Sequence, residues 1–307
     1  MSKILVVLGA TGKQGGSVIN AVLGDPKARK EFALRAITRD TSKPSAKALA
    51  GKGVETVTAD LADKASLVKA FEGAYAVFSV TDYWATLDKS IELQQGKNVA
   101  DAAKVSFNFW NTTNGKLSNI EHFDSKAAVE EYIRSIDLPT SFYLPGFYMS
   151  NIPESALRKD KSTGKFVFAL PLRADAQIPA VDVEADTGKF VKAILLNRDA
   201  TLGRYIYGSP EYLSPQDIVD GFVKAYPKDG EGTTFQILPD DVFKGALASV
   251  GMPEKVQVEL CENMHLMNKE FGYYAGEDLK ESLSIVTDPL VTWSEYVKTV
   301  PAFKDLQ

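Results

Sequence analysis

The chain has 307 residues, 45% apolar and 24% charged, with a formal net charge of −5. This is an ordinary globular composition, long enough for one large α/β domain with a smaller lobe, and it argues against disorder. The acidic balance and the absence of any long Lys/Arg run argue against direct nucleic-acid binding, and a single cysteine, Cys261, cannot form an internal disulfide, which points to a reducing compartment.

Ile4-Leu-Val-Val-Leu8 is a continuous apolar run, which suits a central parallel strand buried on both faces. It is too short for a signal segment or a membrane span, and glycines follow at once. A helix is expected after Gly16, then a strand at Leu34–Thr38, a helix at Ser45–Leu49 and a strand at Glu55–Ala59. Ala65–Phe71 reads as a helix, Tyr75–Val80 as a fourth strand and Leu87–Lys104 as a long helix. Such alternation predicts a parallel sheet with right-handed crossovers. Ser106–Trp110 is the best fifth strand. A helix bearing His122 and Lys126 and a sixth strand at Ser141–Leu144 come next. Beyond about Tyr148 the texture changes, with strands at Lys165–Leu170 and Arg204–Tyr207 and helices at Asp186–Leu196, Pro215–Ala225 and Asp240–Ser249. Ser214 is an N-cap with Pro215 at the first helical position. The expected organisation is therefore a Rossmann-type, doubly wound parallel sheet over 1–150, with a smaller C-terminal α/β lobe over 151–307 that is partly interleaved with it.

The first turn, Gly9-Ala-Thr-Gly12-Lys-Gln-Gly15-Gly16, lies between a buried strand and a helix, the context a dinucleotide-binding loop requires. Gly9 permits the tight turn, Gly12 the close approach of a pyrophosphate, and Gly15 or Gly16 the packing of helix on strand. The helix N-terminus supplies N–H groups for the anion. At the end of the second strand, Arg39 and Lys43 suit the 2′-phosphate of NADP. Asp40 is the alternative, able to take the ribose hydroxyl of NAD. Asp60 borders the adenine, caps the next helix, or does both.

GATGKQGGSV, ITRD, ADLAD, GAYAVFSVTDYW, HFDSKAAVEEY and LPGFYMSN together resemble the NmrA-like proteins, atypical short-chain dehydrogenase/reductases related to isoflavone-type reductases. The resemblance runs along most of the chain and implies a Rossmann domain with NADP or NAD in a cleft against a small C-terminal lobe. By matching motif it implies that Gly9, Thr11, Gly12, Lys13, Gln14 and Gly15 hold the pyrophosphate, and that Arg39 and Lys43 hold the 2′-phosphate. Asp60 and Leu61 would border the adenine, and Thr81 and Tyr83 would line the path to the nicotinamide. Lys126 would bind the nicotinamide ribose, and Phe147, Tyr148 and Asn151 would close over the ring. Members of the family are redox-sensing regulators that act through a protein partner such as a transcription factor, or NADPH-dependent reductases of quinones and phenolic compounds. This implies a cytoplasmic, also nuclear, location. Two departures stand out: the segment from Lys104 to His122 is short, and Leu144 stands before Pro-Gly where relatives often carry Arg.

Hydride transfer to a carbonyl needs a proton donor beside the developing oxyanion. The family's usual Tyr, four residues before the Lys, is replaced here by His122, on the same helix face as Lys126. A like charge at Lys126 disfavours the imidazolium, so His122 is expected to be mostly neutral and to polarise the carbonyl in that form. The alternative for His122 is a helix-start residue bonded to its loop. Only Thr112 or Thr113 offers an oxygen-holding hydroxyl. Tyr83 and Trp84 form a substrate platform or simply pack. An intact nucleotide site beside an incomplete catalytic set gives, as the leading expectation, a redox-sensing regulator. An NADPH-dependent reductase of a small aromatic or quinone substrate is the alternative. No metal site is expected from one cysteine and two histidines.

Overall fold

In a computed structural model, residues 2–103, 117 and 119–307 are described. Strand β1 (Lys3–Val7) leads through the glycine turn into α1 (Lys13–Gly24). Then follow α2 (Pro26–Glu31), β2 (Phe32–Thr38), α3 (Pro44–Gly51), β3 (Glu55–Thr58), α4 (Lys64–Ala70), β4 (Ala74–Phe78), a single 3₁₀ turn at Tyr83–Ala85, and α5 (Lys89–Ala103). The strands run parallel in the order β3-β2-β1-β4. This order puts the first βα turn at the carboxyl edge of the sheet, where α/β proteins of this kind bind ligands.

The apolar run in β1 is explained by burial on both faces. Val6 and Leu8 join Ile37, Leu67 and Val77 in one core, while Leu5 and Val7 join Val18, Ile19, Val22 and Phe190 in another. The expected fifth strand at 106–110, together with Thr112 and Thr113, lies outside the described residues.

The chain resumes with α6 (Glu121–Ser135), β5 (Phe142–Pro145), β6 (Phe147–Tyr148), β7 (Leu157–Lys159), β8 (Phe166–Leu170), β9 (Ile178–Val181), α7 (Val183–Leu196), α8 (Arg198–Thr201), β10 (Tyr205–Gly208) and β11 (Glu211–Leu213). It continues through α9 (Pro215–Ala225), β12 (Thr234–Ile237), α10 (Asp240–Ser249) and α11 (Glu254–His265). Ser214 caps α9 as expected, and its capping box with Asp217 is closed from both sides. The two halves of the chain share elements: β5 pairs in parallel with β10. Helix α7 lies against α1, where the Gly188 N–H donates to Ser17 Oγ at 2.8 Å. Among the described residues no helix is long and apolar enough to cross a membrane.

Candidate functional site

A cleft of about 1020 Å³ opens at the carboxyl ends of β1 to β4. Gly9, Thr11, Gly12, Lys13, Gln14, Gly15, Arg39, Lys43, Asp60, Leu61, Thr81, Tyr83, His122, Lys126, Phe147, Tyr148 and Asn151, all singled out from the sequence, line it.

The loop end is built by glycine. Gly9 holds φ +59°, a left-handed conformation that a side chain disfavours, and a Cβ there would sit 2.8 Å from Val80 Cγ1. A Cβ on Gly15 would lie 2.3 Å from the Gly9 carbonyl oxygen and 2.8 Å from that of Leu8, whereas one on Gly16 would meet nothing closer than 3.7 Å. Gly15, not Gly16, is therefore the residue that lets helix and strand meet. The N-cap Gly12 offers no side-chain hydrogen bond, so the first-turn N–H groups of α1 are left for an anion. Gln14 Nε2 reaches across to donate to Tyr148 Oη at 2.8 Å.

At the second strand's end, Arg39 and Lys43 are exposed cleft residues without an ion pair among the described residues. Asp40 is turned into its own loop, where one carboxylate oxygen accepts from both the N–H and the hydroxyl of Ser42 at 2.8 and 2.6 Å. These bonds hold its carboxyl below the usual value. Asp60 is not the N-cap of α4. That position belongs to Asp63, which accepts from the N–H groups of Ala65 and Ser66, while Asp60 accepts from Ala62 within the preceding turn.

The other end of the cleft holds two buried carboxylates that the sequence reading missed. Glu92 on α5 accepts from Lys126 Nζ and Thr81 Oγ1, each at 2.6 Å, and from Ser125 Oγ. Thr81 therefore lines the cleft with its hydroxyl already engaged. Glu259 on α11 accepts at one oxygen from both the backbone N–H and Nδ1 of His122, at 2.8 and 2.6 Å. Its other oxygen accepts from Tyr83 Oη at 2.9 Å. Burial pushes the Glu259 carboxyl up, but the bonds from His122 and Tyr83 outweigh it and hold it below its ordinary value. For His122, burial is the largest effect and lowers the pKa. Glu259 opposes it and Lys126 adds to it, leaving the ring below its usual value.

His122 is thus anchored on another helix, not on the loop at its own helix start. With Nδ1 donating to a carboxylate, the neutral ring presents a lone pair at Nε2. It cannot polarise a carbonyl by donation, contrary to the expectation from sequence. Tyr83 is a packing residue, 1% exposed, with its hydroxyl turned to Glu259 and Glu121. Trp84, 45% exposed, packs edge-on to Tyr83 at 5.3 Å. Phe123, Met264 and Tyr273 complete an apolar wall. Tyr132 lies away from the cleft and donates to Asp101 on α5.

A single cysteine does not by itself exclude a metal-ligating group. Asp240, Cys261 and His265 bring donor atoms within 4.8 Å of one another. Their hydrogen bonds run otherwise, however. Asn268 Oδ1 accepts from the Arg173 N–H, so its Nδ2 faces His265 Nδ1, and His265 Nε2 then donates to Asp240 at 3.0 Å. Burial pushes the Cys261 thiol up to about 11.

The fold and cleft define a Rossmann-type α/β protein with a glycine-rich phosphate loop. The NmrA-like family model matches residues 1–297, and the chain belongs to that family. The oxidoreductase malD of Malbranchea aurantiaca, named as an NmrA-like family domain-containing protein, is 31% identical over 246 residues, 72% of each chain. The oxidoreductase hkm9 of Aspergillus hancockii, named in the same way, is 26% identical over 91% of this chain and 87% of its own. Among solved structures, the negative transcriptional regulator NmrA in complex with NADP superimposes with a TM-score of 0.75 at 19% identity, over 99% of this chain and 97% of its own. The NADPH-dependent quinone oxidoreductase QOR2 of Escherichia coli, complexed with NADPH, gives 0.73 at 22% identity, over 96% and 98%.

Proposed function

We propose that this chain is an NADP(H)-dependent oxidoreductase acting on a small substrate with an aromatic or apolar body. The observation that carries this reading is the continuity of one cleft. It runs from an uncapped, glycine-walled helix N-terminus to Lys126 and His122, each clamped by its own buried carboxylate. Buried ion pairs are a poor source of stability, and here two of them converge on one cavity. Bound NADP(H) would supply the hydride chemistry. The residues present fit it: the loop N–H groups would hold the pyrophosphate, and Arg39 with Lys43 would pair the 2′-phosphate. Asp40, held by Ser42, is drawn away from the role it would play with NAD. Lys126, oriented by Glu92, keeps N–H groups for the ribose. Relatives named as oxidoreductases and neighbours complexed with NADP support the same reading.

A second reading, a regulator that reports the NADPH/NADP+ ratio to a protein partner, draws support from Trp84. This residue is both cleft wall and exposed surface, so a ligand that moves it changes what a partner meets. A ligand shifts a protein only by binding its states unequally.

Calorimetric titration with NADPH, NADP+, NADH and NAD+ tests both readings. Tight NADPH binding is expected, weakened roughly 10- to 100-fold by Arg39→Ala with NADH unaffected, as a charged hydrogen bond of about 1.5–3 kcal/mol implies. NADPH oxidation with a quinone or aromatic aldehyde, lost in Lys126→Ala, supports the enzyme. Unequal NADPH and NADP+ affinity without turnover supports the regulator.

A further inference from the structure

We infer that His122 is the general base of this cleft, set in that state by Glu259, and that it takes a hydroxyl compound which the protein oxidises with NADP+. The inference rests on the oxidoreductase reading and deepens it.

The geometry fixes the tautomer. Glu259 Oε1 lies 2.6 Å from Nδ1 and also accepts from the His122 backbone N–H at 2.8 Å. An ionised carboxylate only accepts, so Nδ1 carries the hydrogen. Nε2 has no hydrogen-bond partner among the described residues, and His122 is part of the cleft wall. Among the described residues, the groups facing the ring are Glu259 from α11, Tyr83 and Trp84 from the 3₁₀ turn, Phe123, Asp124 and Lys126 from its own helix, and Glu92 behind Lys126 on α5. Burial and Lys126 disfavour the imidazolium at rest. Near neutrality, then, the cleft meets a bare nitrogen ready to accept a proton.

In the step this allows, the substrate O–H bond breaks and its proton goes to Nε2. The electron pair left on oxygen forms the carbonyl, and the hydride on the adjacent carbon goes to NADP+, giving NADPH. Glu259 stabilises the imidazolium so formed, and that proton leaves to solvent with the product. Trp84, Phe123, Met264 and Tyr273 suit an aromatic body on the alcohol.

The chain has only two histidines, so ¹⁵N-edited imidazole spectra resolve them, with His122 assigned by its loss in His122→Gln. At neutral pH the ring is expected to carry hydrogen on Nδ1 and none on Nε2. Glu259→Gln, whose carbonyl can still accept from Nδ1, should keep that tautomer but, without the negative charge, move the titration midpoint further down. With NADP+ and cinnamyl alcohol, the initial rate should rise with pH to a plateau whose half-point is the His122 midpoint. Glu259→Gln should lower that plateau by up to about 10²–10⁴-fold, the usual range for acid–base catalysis, with NADP+ affinity unchanged. A wild-type ring protonated at Nε2, or a rate indifferent to Glu259, overturns the inference. In that case NADPH-linked reduction of cinnamaldehyde would leave the oxidoreductase reading standing. Dinucleotide binding without hydride exchange in either direction overturns both.

Discussion

Removing the Glu92 carboxylate should destabilise the fold and loosen the dinucleotide site together. Glu92 is 1% exposed, and its two oxygens serve Thr81, Ser125 and Lys126. Glu92→Ala leaves two hydroxyls without an acceptor and an ammonium, 18% exposed, without its counter-charge. Breaking a buried pair in this way costs about 3–5 kcal/mol. Glu92→Gln keeps the shape. Its carbonyl can still accept from Thr81 and Lys126, and the Ser125 hydroxyl can turn to accept from the amide. The loss is then the difference between a charge-assisted and a neutral hydrogen bond, about 1–2 kcal/mol. Replacing both ions, as in Glu92→Gln with Lys126→Met, should cost less than the sum of the single changes, because each single change strands its partner's charge and the double change strands neither. Urea unfolding followed by tryptophan fluorescence measures all four forms. If the Ala and Gln variants both unfold within about 0.5 kcal/mol of wild type, the value for a featureless surface position, Glu92 is not the anchor and the argument for an oriented Lys126 fails with it.

Gly15→Ala sets a Cβ 2.3 Å from the Gly9 carbonyl oxygen, so α1 must lift from β1. Overpacking of this kind costs about 1–3 kcal/mol, and NADPH affinity should fall well beyond that stability loss. Gly16→Ala, with open space around it, is the control, and equal effects from the two would refute the assignment. Ser42→Ala removes one of the two bonds that hold the Asp40 carboxylate, leaving the backbone N–H, and should raise NADH affinity relative to NADPH by up to about 10-fold, the value of one net hydrogen bond. An unchanged ratio by titration would remove Ser42 from cofactor selection. Lys192 Nζ joins Asp25 and Asp288 at 2.7 and 2.8 Å, and chiefly its bond lowers Asp25 from 3.8 to about 2. A depressed carboxyl stabilises the fold above its unfolded pKa, and that share is lost as pH falls through the folded one. Lys192→Met should therefore lower stability at pH 5, with the Asp25 share of the gap closing between about pH 4 and 2 in denaturant melts. A gap that does not narrow would mean that Asp25 is not what the lysine stabilises.

The parts of this molecule that were legible in the sequence were those whose signals are local. The apolar run at β1, the glycine spacing and the Ser-Pro start of α9 each act within a few residues, and α9 and α10 lie where expected. Strands β9, β11 and β12 were not read, because each has only three or four residues and is defined by a partner far along the chain. The same limit hid the two carboxylates, since LDKSIELQQ and EKVQVELCE look like solvated helix faces. A signal was present nonetheless. Glu92 shares a helical stripe with Gly96, Val99 and Ala100 and so stands on a largely apolar face, whereas the helical neighbours of Glu259 at three and four residues include Lys255, Glu262 and Asn263, which hide it. A charge on an apolar face must have a partner inside, even when its identity waits on the fold.

His122 and the group beneath it are 137 residues apart, one on each side of the change in texture near Tyr148. The phosphate loop and the imidazole travel in the first half of the gene, and the residue that decides which imidazole nitrogen holds the hydrogen travels in the second. Exchanging the second half for a relative's would keep the nucleotide pocket yet rewrite the protonation habit of its far end. In such a hybrid, hydride affinity and proton affinity would come from different parents.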